Sequence, residues 1–268
     1  MDSADLVARL RAAGCVFAEE EARVLQDTAA DDAQLQILAG RRVAGEPLEH
    51  VLGWAEFCGL RIHVDPGVFR PRARTEFLVE HAATLVRPVL PPTSGRPGTR
   101  APVVVDLCCG SGALGVALAA MLGRVELHAA DVDPVAIACA RRNVEPVGGQ
   151  VHLGDLFAAL PADLRGRMDV LLANVPYVPT GDLGLLPAEA RLHEPVGTLD
   201  GGPDGLEVLR RVAADAPRWL APNGHLLTEA SSGQAQAATE VLSSAGLVAL
   251  VVTSEEHDAT VVVGTARA

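Results

Sequence analysis

The sequence predicts an α/β fold whose main part is a sheet of largely parallel strands, and three features indicate it. From Val103 onward, short apolar runs alternate with stretches of helical periodicity, which is typical of a parallel sheet covered by helices. A glycine-rich turn, residues 108–112 (the glycine turn), follows the first run. A later run, residues 170–173, ends at Asn174-Val175-Pro176-Tyr177 (the clamp motif), which holds the only tyrosine of the chain.

Composition limits the function classes. Apolar residues make up 49% of the 268 residues, enough for a stable core, and no apolar run is long enough to predict a transmembrane helix. The acidic start, Met1-Asp2-Ser3-Ala4-Asp5, lacks the basic and apolar blocks of a signal peptide, so we expect a cytoplasmic protein. The net charge of -12, with no lysine, disfavours binding to a nucleic acid backbone and favours a neutral or basic partner.

Cysteine and histidine spacing points away from disulfides and metals. Five cysteines without a CxxC pair are typical of reduced thiols in a cytosolic protein. No histidine pairs with a cysteine at ligand spacing, so we expect no metal site.

The part before Val103 contains different elements. Apolar spacing predicts short helices over about 3–44, with Asp31-Asp32 able to cap the third helix. Aromatic and branched residues around Gly59 predict a β-hairpin within 51–69. A helix is expected to begin near Thr75, and residues 87–102, rich in proline, are expected to form a loop.

Seven strands are predicted from Val103 to the end of the chain. They lie at 103–107, 125–131, 150–153, 169–173, 224–229, 247–253 and 259–265. The final two are expected to pair as a hairpin around residues 254–257, which would give the sheet an antiparallel edge.

The glycine turn and the residues after the next two strands predict a nucleotide cofactor site. Glycines let a backbone approach a ligand closely, and the following helix, 113–121, presents free N–H groups. The acidic Asp106 before the turn suits a cationic amino-acid group better than a pyrophosphate. Asp131, at the end of the second strand, is placed to accept both ribose hydroxyls. The predicted cofactor residues are Asp106, Cys108, Gly110, Gly112, Asp131, Val132, Asp155, Leu156 and Asn174.

Further details of this site follow from neighbouring residues. Asp133 is expected to cap the helix that begins at Pro134. Asp155 and the aromatic Phe157 are expected to hold an amino group and a ring face of adenine. Cys108 and Cys109 are expected to pack as small apolar residues beside the cofactor.

The clamp motif predicts a site for a planar nitrogen. An amide nitrogen is a weak nucleophile because its lone pair is delocalised into the carbonyl group. The Asn174 side-chain oxygen and the Val175 main-chain carbonyl offer two acceptors for its N–H groups, Pro176 stiffens the loop, and Tyr177 supplies a flat wall. Alignment rather than a strong base would then provide the rate. Together the two sites suggest methyl transfer from S-adenosylmethionine to such a nitrogen, with Asn174, Val175, Pro176 and Tyr177 as the catalytic set.

With these residues identified, the chain resembles the HemK-type protein-(glutamine-N5) methyltransferases, which act on peptide-chain release factors. The similarity covers nearly the whole chain, and its ordered motifs are more specific than any one alone. They are Gly45-Glu46-Pro47, 53–57, 71–76, 106–115, Asp131, 154–157, the clamp motif, Glu194-Pro195, 201–206, Glu229 and Gln234.

The resemblance implies a domain organisation and a reaction. It implies a helical substrate-docking domain at 1–50, a linking β-hairpin at 51–70 and, at 71–268, a Rossmann-like class I methyltransferase domain with a seven-stranded mixed sheet. It implies S-adenosylmethionine as methyl donor, S-adenosylhomocysteine as product, and a protein partner whose Gly-Gly-Gln glutamine enters the site. The resemblance implies neither a metal nor a membrane, and it does not predict the oligomeric state.

Two departures from the family pattern bear on the substrate. Position 175 is valine where the family usually has proline, and Ala73-Arg74 stands where the family usually has Pro-Glu. The second change reverses a charge near the cofactor entrance or the domain junction. In the loop from Val178 to Asp204, both Glu194 and Asp204 are candidates either for substrate contact or for solvated loop charges.

Other functions are compatible with parts of the sequence. A nucleic-acid amino methyltransferase acting on adenine or guanine would use the same two acceptors, but it would need base flipping and a basic surface. Arg70, Arg72 and Arg74 form a local basic cluster, whereas the net charge of -12 weighs against such a surface. A catalytically silent binding protein is favoured only by Val175. An NAD-dependent oxidoreductase is favoured only by the glycine pattern.

Overall fold

The computed structural model describes residues 2–86 and 100–268, and it confirms the α/β fold. The large sheet consists of β3 Val103–Leu107, β4 Glu126–Asp131, β5 Gln150–Leu153, β6 Met168–Ala173, β7 Leu220–Glu229, β8 Val248–Ser254 and β9 Ala259–Thr265. Their order is β5-β4-β3-β6-β7-β9-β8, with parallel pairing from β5 to β7. β9 is antiparallel to both β7 and β8, so the sheet is mixed, as expected.

One strand, β7, begins earlier than the sequence predicts, and the structure decides the order of the last two strands. β7 begins at Leu220, four residues before the predicted start, and its pairing with β6 is irregular between Met168 and Val170. Asn223 has a positive φ of 62°, so a local bulge, rather than a turn, accommodates the proline and glycine beside it. The hairpin of β8 and β9 forms as expected, but the later strand lies inside the sheet and β8 forms its edge.

Helices cover both faces of the sheet because the strand side chains alternate between them. Val104, Val170 and Leu172 point to one core, which is closed by α5 Glu76–Val86, α6 Ala113–Leu122 and α7 Pro134–Val144. Val105 and Leu171 point to the opposite core, which is closed by α9 Glu207–Trp219 and α10 Ala235–Ser244. A short helix, α8 Ala188–His193, lies in the connection between β6 and α9.

The N-terminal part folds around a core of its own. Its helices are α1 Ser3–Ala12, α2 Ala18–Thr28, α3 Asp32–Val43 and α4 Leu48–Leu52, and Leu6, Leu10 and Leu25 are fully buried among them. The Asp31 carboxylate accepts a hydrogen bond from the Gln34 amide at 2.8 Å and so caps α3, as expected.

The β-hairpin packs with the large domain rather than with the N-terminal helices. It consists of β1 Trp54–Phe57 and β2 Leu60–His63, joined by Cys58 and Gly59, both at positive φ. Phe57 and Ile62 are buried in the core beneath α5. Within the described residues, no helix is long and apolar enough to cross a membrane. Residues 87–99 of the predicted loop lie outside the described residues.

Buried ion pairs connect the N-terminal helices to the segments around the cleft. Arg42 donates to Glu21 at 2.6 Å and to Glu189 of α8 at 2.8 Å. Arg70 donates to Glu49 at 2.7 Å and to Glu194 at 3.1 Å. The two arginines are buried, as are Glu21 and Glu194, whereas Glu49 and Glu189 are partly exposed. Loss of a buried acceptor would leave a buried arginine uncompensated, so these pairs help to hold α8 and the segment at Glu194 against α3 and α4.

Candidate active site

A cleft of about 800 Å³ opens at the carboxyl ends of β3, β4 and β6. β3 is the strand at which the order of connections reverses, and ligands of open α/β sheets bind in the crevice at such a point. Every predicted site residue except Gly112 lines this cleft: Asp106, Cys108, Gly110, Asp131, Val132, Asp155, Leu156, Asn174, Val175, Pro176 and Tyr177.

The glycine turn owes its shape to positive φ values and to close packing. Cys108, Gly110 and Gly112 have φ of 56°, 54° and 77°. Gly112 is the N-cap of α6 and faces away from the cleft, where an added Cβ would lie 2.6 Å from the Val144 side chain. Gly112 therefore supports the cradle through packing, and Gly110 forms its wall.

Asp106 is buried beneath the glycine turn and binds the helix that follows the turn. It is 1% exposed, and its Oδ2 accepts a hydrogen bond from the Gly115 amide at 2.9 Å. Burial raises the pKa of this carboxyl to about 7, more than the Gly115 N–H lowers it. An added Cβ on Gly115 would lie 3.1 Å from the Asp106 Cβ, so glycine allows the helix to approach the strand this closely.

Asp131 connects the end of β4 to the glycine turn. Its Oδ2 accepts from the Gly110 amide at 2.9 Å, and its Oδ1 accepts from the Asp133 amide at 3.0 Å. Burial raises the pKa of Asp131 against these two donors. Each oxygen keeps a second lone pair for a ligand hydroxyl. Asp133 caps α7 by accepting from the Val135 amide at 2.8 Å, as expected.

The thiols beside the cradle are neutral. Cys108 lines the cleft, and Cys109 is buried. Burial raises the pKa of both thiols well above the usual value, with the nearby carboxylates adding to the effect for both. They therefore contribute small apolar surface.

The third strand end differs in part from expectation. Asp155 and Leu156 line the cleft, and Asp155 accepts from Arg211 of α9 at 2.6 Å. The expectation that Phe157 supplies a ring face to the cofactor is wrong. Phe157 is 5% exposed and stacks on Trp219 in the opposite core, with 5.4 Å between ring centroids. The 3₁₀ turn after Asp155 directs Leu156 to the cleft and the next side chain away from it.

In the clamp motif, which follows β6, the Val175 side chain is buried and the Asn174 side chain faces the cleft. Val175 is 2% exposed and packs in the core beneath α9. The Asn174 side chain lines the cleft and makes no hydrogen bond to any residue among those described. An amide with four hydrogen-bonding positions thus faces the cleft with no partner in the part of the chain that the structure describes.

Tyr177 is fixed through its hydroxyl. The phenol donates to Glu229 Oε1 at 2.7 Å and accepts from Arg74 Nη2 at 2.6 Å. Arg74 Nε also donates to Glu229 Oε1 at 2.7 Å, and Thr75 donates to Glu229 Oε2 at 2.6 Å. Burial, followed by the Glu229 charge, raises the pKa of Tyr177 well above its usual value, so the phenol keeps its proton.

A loop of glycines supports the backbone of the clamp motif. Gln234 Nε2 donates to the Tyr177 carbonyl at 2.8 Å and to the Asp204 carbonyl at 3.1 Å. An added Cβ on Gly201 would lie 2.7 Å from the Pro176 carbonyl oxygen, and one on Gly205 would collide with the Tyr177 carbonyl. The motif at 201–206 is therefore the surface on which the clamp motif rests.

The two loop carboxylates are structural. The Glu194 side chain is fully buried, and its Oε1 accepts from Arg70 at 3.1 Å and from Arg72 at 2.5 Å. Asp204 accepts from Arg210 at 3.0 Å and from the Leu206 amide at 3.2 Å. Neither residue lines the cleft.

Sequence reasoning missed several residues of the site. Glu189 and Arg211 line the cleft from α8 and α9, and no motif marks either of them. Arg74 has a charge opposite to that of the glutamate usual in the family at this position. It lies against Tyr177 in the cleft rather than at the domain junction. Glu229 was suggested only by the family pattern, and its contacts with Arg74 and Thr75 explain its presence.

Comparison with known proteins agrees with this geometry. The family model "Methyltransferase small domain" matches residues 59–190. The release factor glutamine methyltransferase of Geobacter sulfurreducens is 40% identical over 211 residues, which cover 78% of this chain and 69% of the relative. The 4-amino-L-phenylalanine/4-methylamino-L-phenylalanine methyltransferase of Streptomyces pristinaespiralis is 37% identical over 194 residues, which cover 72% of this chain and 64% of that protein.

Solved structures agree on the fold. A methyltransferase from Pyrococcus furiosus superposes with a TM-score of 0.53 at 16% identity, covering 88% of this chain and 99% of that one. The fold is thus the Rossmann-like methyltransferase fold. Given the identity and coverage shared with the Geobacter protein, the chain belongs to the release factor glutamine methyltransferase family.

Proposed function

We propose that this protein transfers a methyl group from S-adenosylmethionine to the side-chain amide nitrogen of the Gly-Gly-Gln glutamine in peptide-chain release factors. The observation that carries the proposal is the Asn174 amide, which has no hydrogen-bond partner among the described residues and faces the same cleft as the glycine turn and Asp131. Family membership supports the choice of a protein glutamine as acceptor.

The cleft fits the proposed cofactor. Its volume of about 800 Å³ is within the range of sites for ligands of this size. Asp131 offers two partly used carboxylate oxygens to ribose hydroxyls, and Asp106 places a buried carboxyl beneath the glycine turn, suited to an ammonium group. Val132 and Leu156 provide apolar walls for a base. When bound, the cofactor would supply an electrophilic methyl group on a sulfonium centre.

The clamp motif supplies orientation. The Asn174 oxygen and the Val175 carbonyl would each accept one N–H of the target amide, which directs the nitrogen lone pair along one line. The buried Val175 side chain holds its carbonyl in place without the proline usual in the family. Tyr177, held at both its hydroxyl and its carbonyl, would lie flat against the planar amide.

Proton removal does not require a dedicated base. The nitrogen becomes acidic once it carries the new methyl group, and its proton can pass to water. The rate then depends on alignment, which well-oriented groups can raise by many orders of magnitude.

The helical part is proposed to dock the substrate protein. Val16, Phe17 and Ile37 are 83%, 65% and 62% exposed there, and exposed apolar side chains of this size suit contact with a protein partner. The proposed domains are 1–50 for docking, 51–70 for the linking hairpin and 71–268 for catalysis, in the cytoplasm where translation occurs. Phe17→Asp should raise KM for the release factor and leave cofactor affinity unchanged; an unchanged KM would remove Phe17 from the docking surface.

The test is transfer of labelled methyl from S-adenosylmethionine to purified class 1 release factors. Label should appear on the native factor, be absent from its Gln→Ala variant, and be lost with the Asn174→Ala enzyme although cofactor binding by calorimetry persists. Gln236→Ala, at an exposed amide side chain on α10 outside the cleft, is the control and should stay active. Label that survives Asn174→Ala would exclude the clamp from the mechanism.

A second acceptor class is favoured by one relative. The Streptomyces pristinaespiralis relative is named for methylation of 4-amino- and 4-methylamino-L-phenylalanine, whose planar nitrogens donate two N–H groups and one N–H group respectively to such acceptors. A parallel reaction with 4-amino-L-phenylalanine separates the two. Transfer to the arylamine and not to release factors would assign the small-molecule function.

A further inference from the structure

Arg74 and Glu229 meet at the hydroxyl of Tyr177 from distant parts of the chain. Arg74 precedes α5 and Glu229 ends β7, and the two side chains form a closed triangle with the phenol, with contacts of 2.6, 2.7 and 2.7 Å. We propose that Arg74 is a positioning residue that fixes the ring of Tyr177 in the orientation used for methyl transfer. The part of this proposal that concerns methyl transfer rests on the proposed function.

Among the described residues, the hydrogen bonds of this triangle are the ones that hold the hydroxyl end of the ring. Gln234 holds the Tyr177 main chain at its carbonyl, and that contact does not restrain rotation of the ring about its side-chain bonds. Glu229 is 4% exposed, and Thr75 fixes its second oxygen, so the acceptor is rigid. Arg74 completes the arrangement by donating to both the carboxylate and the phenol.

Arg74 also balances the charge behind the ring. Glu229 accepts from Tyr177 and Thr75, which are neutral donors, and from Arg74, the only cation bonded to it among the described residues. A buried carboxylate that loses its cation draws water or rearranges. Either response would release the phenol from its present position.

The contact requires the shape of arginine. Nε and Nη2 lie on one edge of the planar guanidinium and reach two acceptors at once, which a single ammonium nitrogen does with poorer geometry. Lysine should therefore keep the charge and lose part of the orientation, whereas methionine should lose both.

The first test observes the ring directly and needs no turnover. Because Tyr177 is the only tyrosine, protein labelled with 3-fluorotyrosine gives one ¹⁹F resonance. Arg74→Met should shift and broaden that resonance, and Arg74→Lys should give an intermediate spectrum. Arg142→Met is the control, since Arg142 is an arginine of similar exposure paired with Asp65 outside the cleft, and its spectrum should match wild type. A wild-type spectrum from folded Arg74→Met protein would overturn the proposal.

The second test asks whether Arg74 acts through the phenol. Arg74→Met should lower kcat about tenfold or more with KM for S-adenosylmethionine unchanged, and Arg74→Lys should recover part of the loss. In a Tyr177→Phe background the same substitution should cost little, because the hydroxyl is already absent. Equal losses in both backgrounds would show that Arg74 acts elsewhere. An inactive wild-type enzyme would reject the proposed function, while the ¹⁹F spectra would still decide whether Arg74 fixes the ring.

Discussion

Gly201→Ala tests whether the glycine loop sets the position of the clamp motif. Gly201 is not at positive φ, so alanine imposes no backbone strain of its own there. Its only effect is the added Cβ, which would lie 2.6 Å from the Gly205 carbonyl oxygen and 2.7 Å from that of Pro176. Both neighbours are main-chain atoms and cannot rotate away as a side chain would.

The size of the effect follows from these distances. Ordinary contact for a Cβ begins at 3.4 Å, so the Pro176 carbonyl must move by about 0.7 Å, the difference from 2.7 Å. Overpacking of this kind costs about 1–3 kcal/mol, which corresponds to a fall in Tm of roughly 2–12 °C for a chain of this size. A misplacement of about 1 Å can cost about 100-fold in rate, so we expect turnover to fall roughly 10- to 100-fold.

The assay compares Gly201→Ala with Gly181→Ala, whose Cβ meets no atom within 4 Å. Methyl transfer to release factor and thermal unfolding are measured for both, with cofactor affinity by calorimetry. Gly201→Ala should lose turnover and keep cofactor affinity, because the added Cβ meets Pro176 and Gly205 and not the glycine turn. Activity equal to that of Gly181→Ala would refute the claim that this loop positions the clamp motif.

Three further predictions concern single residues. Asp131→Ala should weaken S-adenosylhomocysteine binding at least about tenfold by calorimetry, because the ribose acceptor is lost; unchanged affinity would refute that role. Val175→Pro should leave methyl transfer within a fewfold of wild type, because the carbonyl acceptor remains, and a large loss would show that the loop is shaped for another purpose. Asp106 has a folded pKa of about 7, raised from 3.8 by burial, so the folded state retains a proton that the unfolded chain releases, and stability should fall as pH rises from about 4 to about 7. Asp106→Asn, which keeps an acceptor for the Gly115 amide, should flatten this dependence of Tm on pH, and an unchanged slope would contradict the assignment.

The sequence determined the fold class and most of the cleft. Apolar runs alternating with helical periodicity give strands and helices from local pattern alone, and the ends of parallel strands share one edge of a sheet. That is why Asp106, Asp131 and Asn174, each at or next to the carboxyl end of a separate strand, are predicted to lie together and line one cleft. Phe157 was misplaced because a single 3₁₀ turn decides which of two adjacent side chains faces the cleft, and no periodicity encodes such a turn.

Only the tertiary structure decided what holds the site in position. Arg74 and Tyr177 are 103 residues apart, Arg74 and Glu229 are 155 apart, and Arg42 and Glu189 are 147 apart. Such contacts depend on where loops return to the sheet, and loops follow no repeating pattern of side chains. The residues that carry the chemistry could therefore be found from strand ends, whereas the arginines and glycines that orient them could be assigned only once the chain was folded.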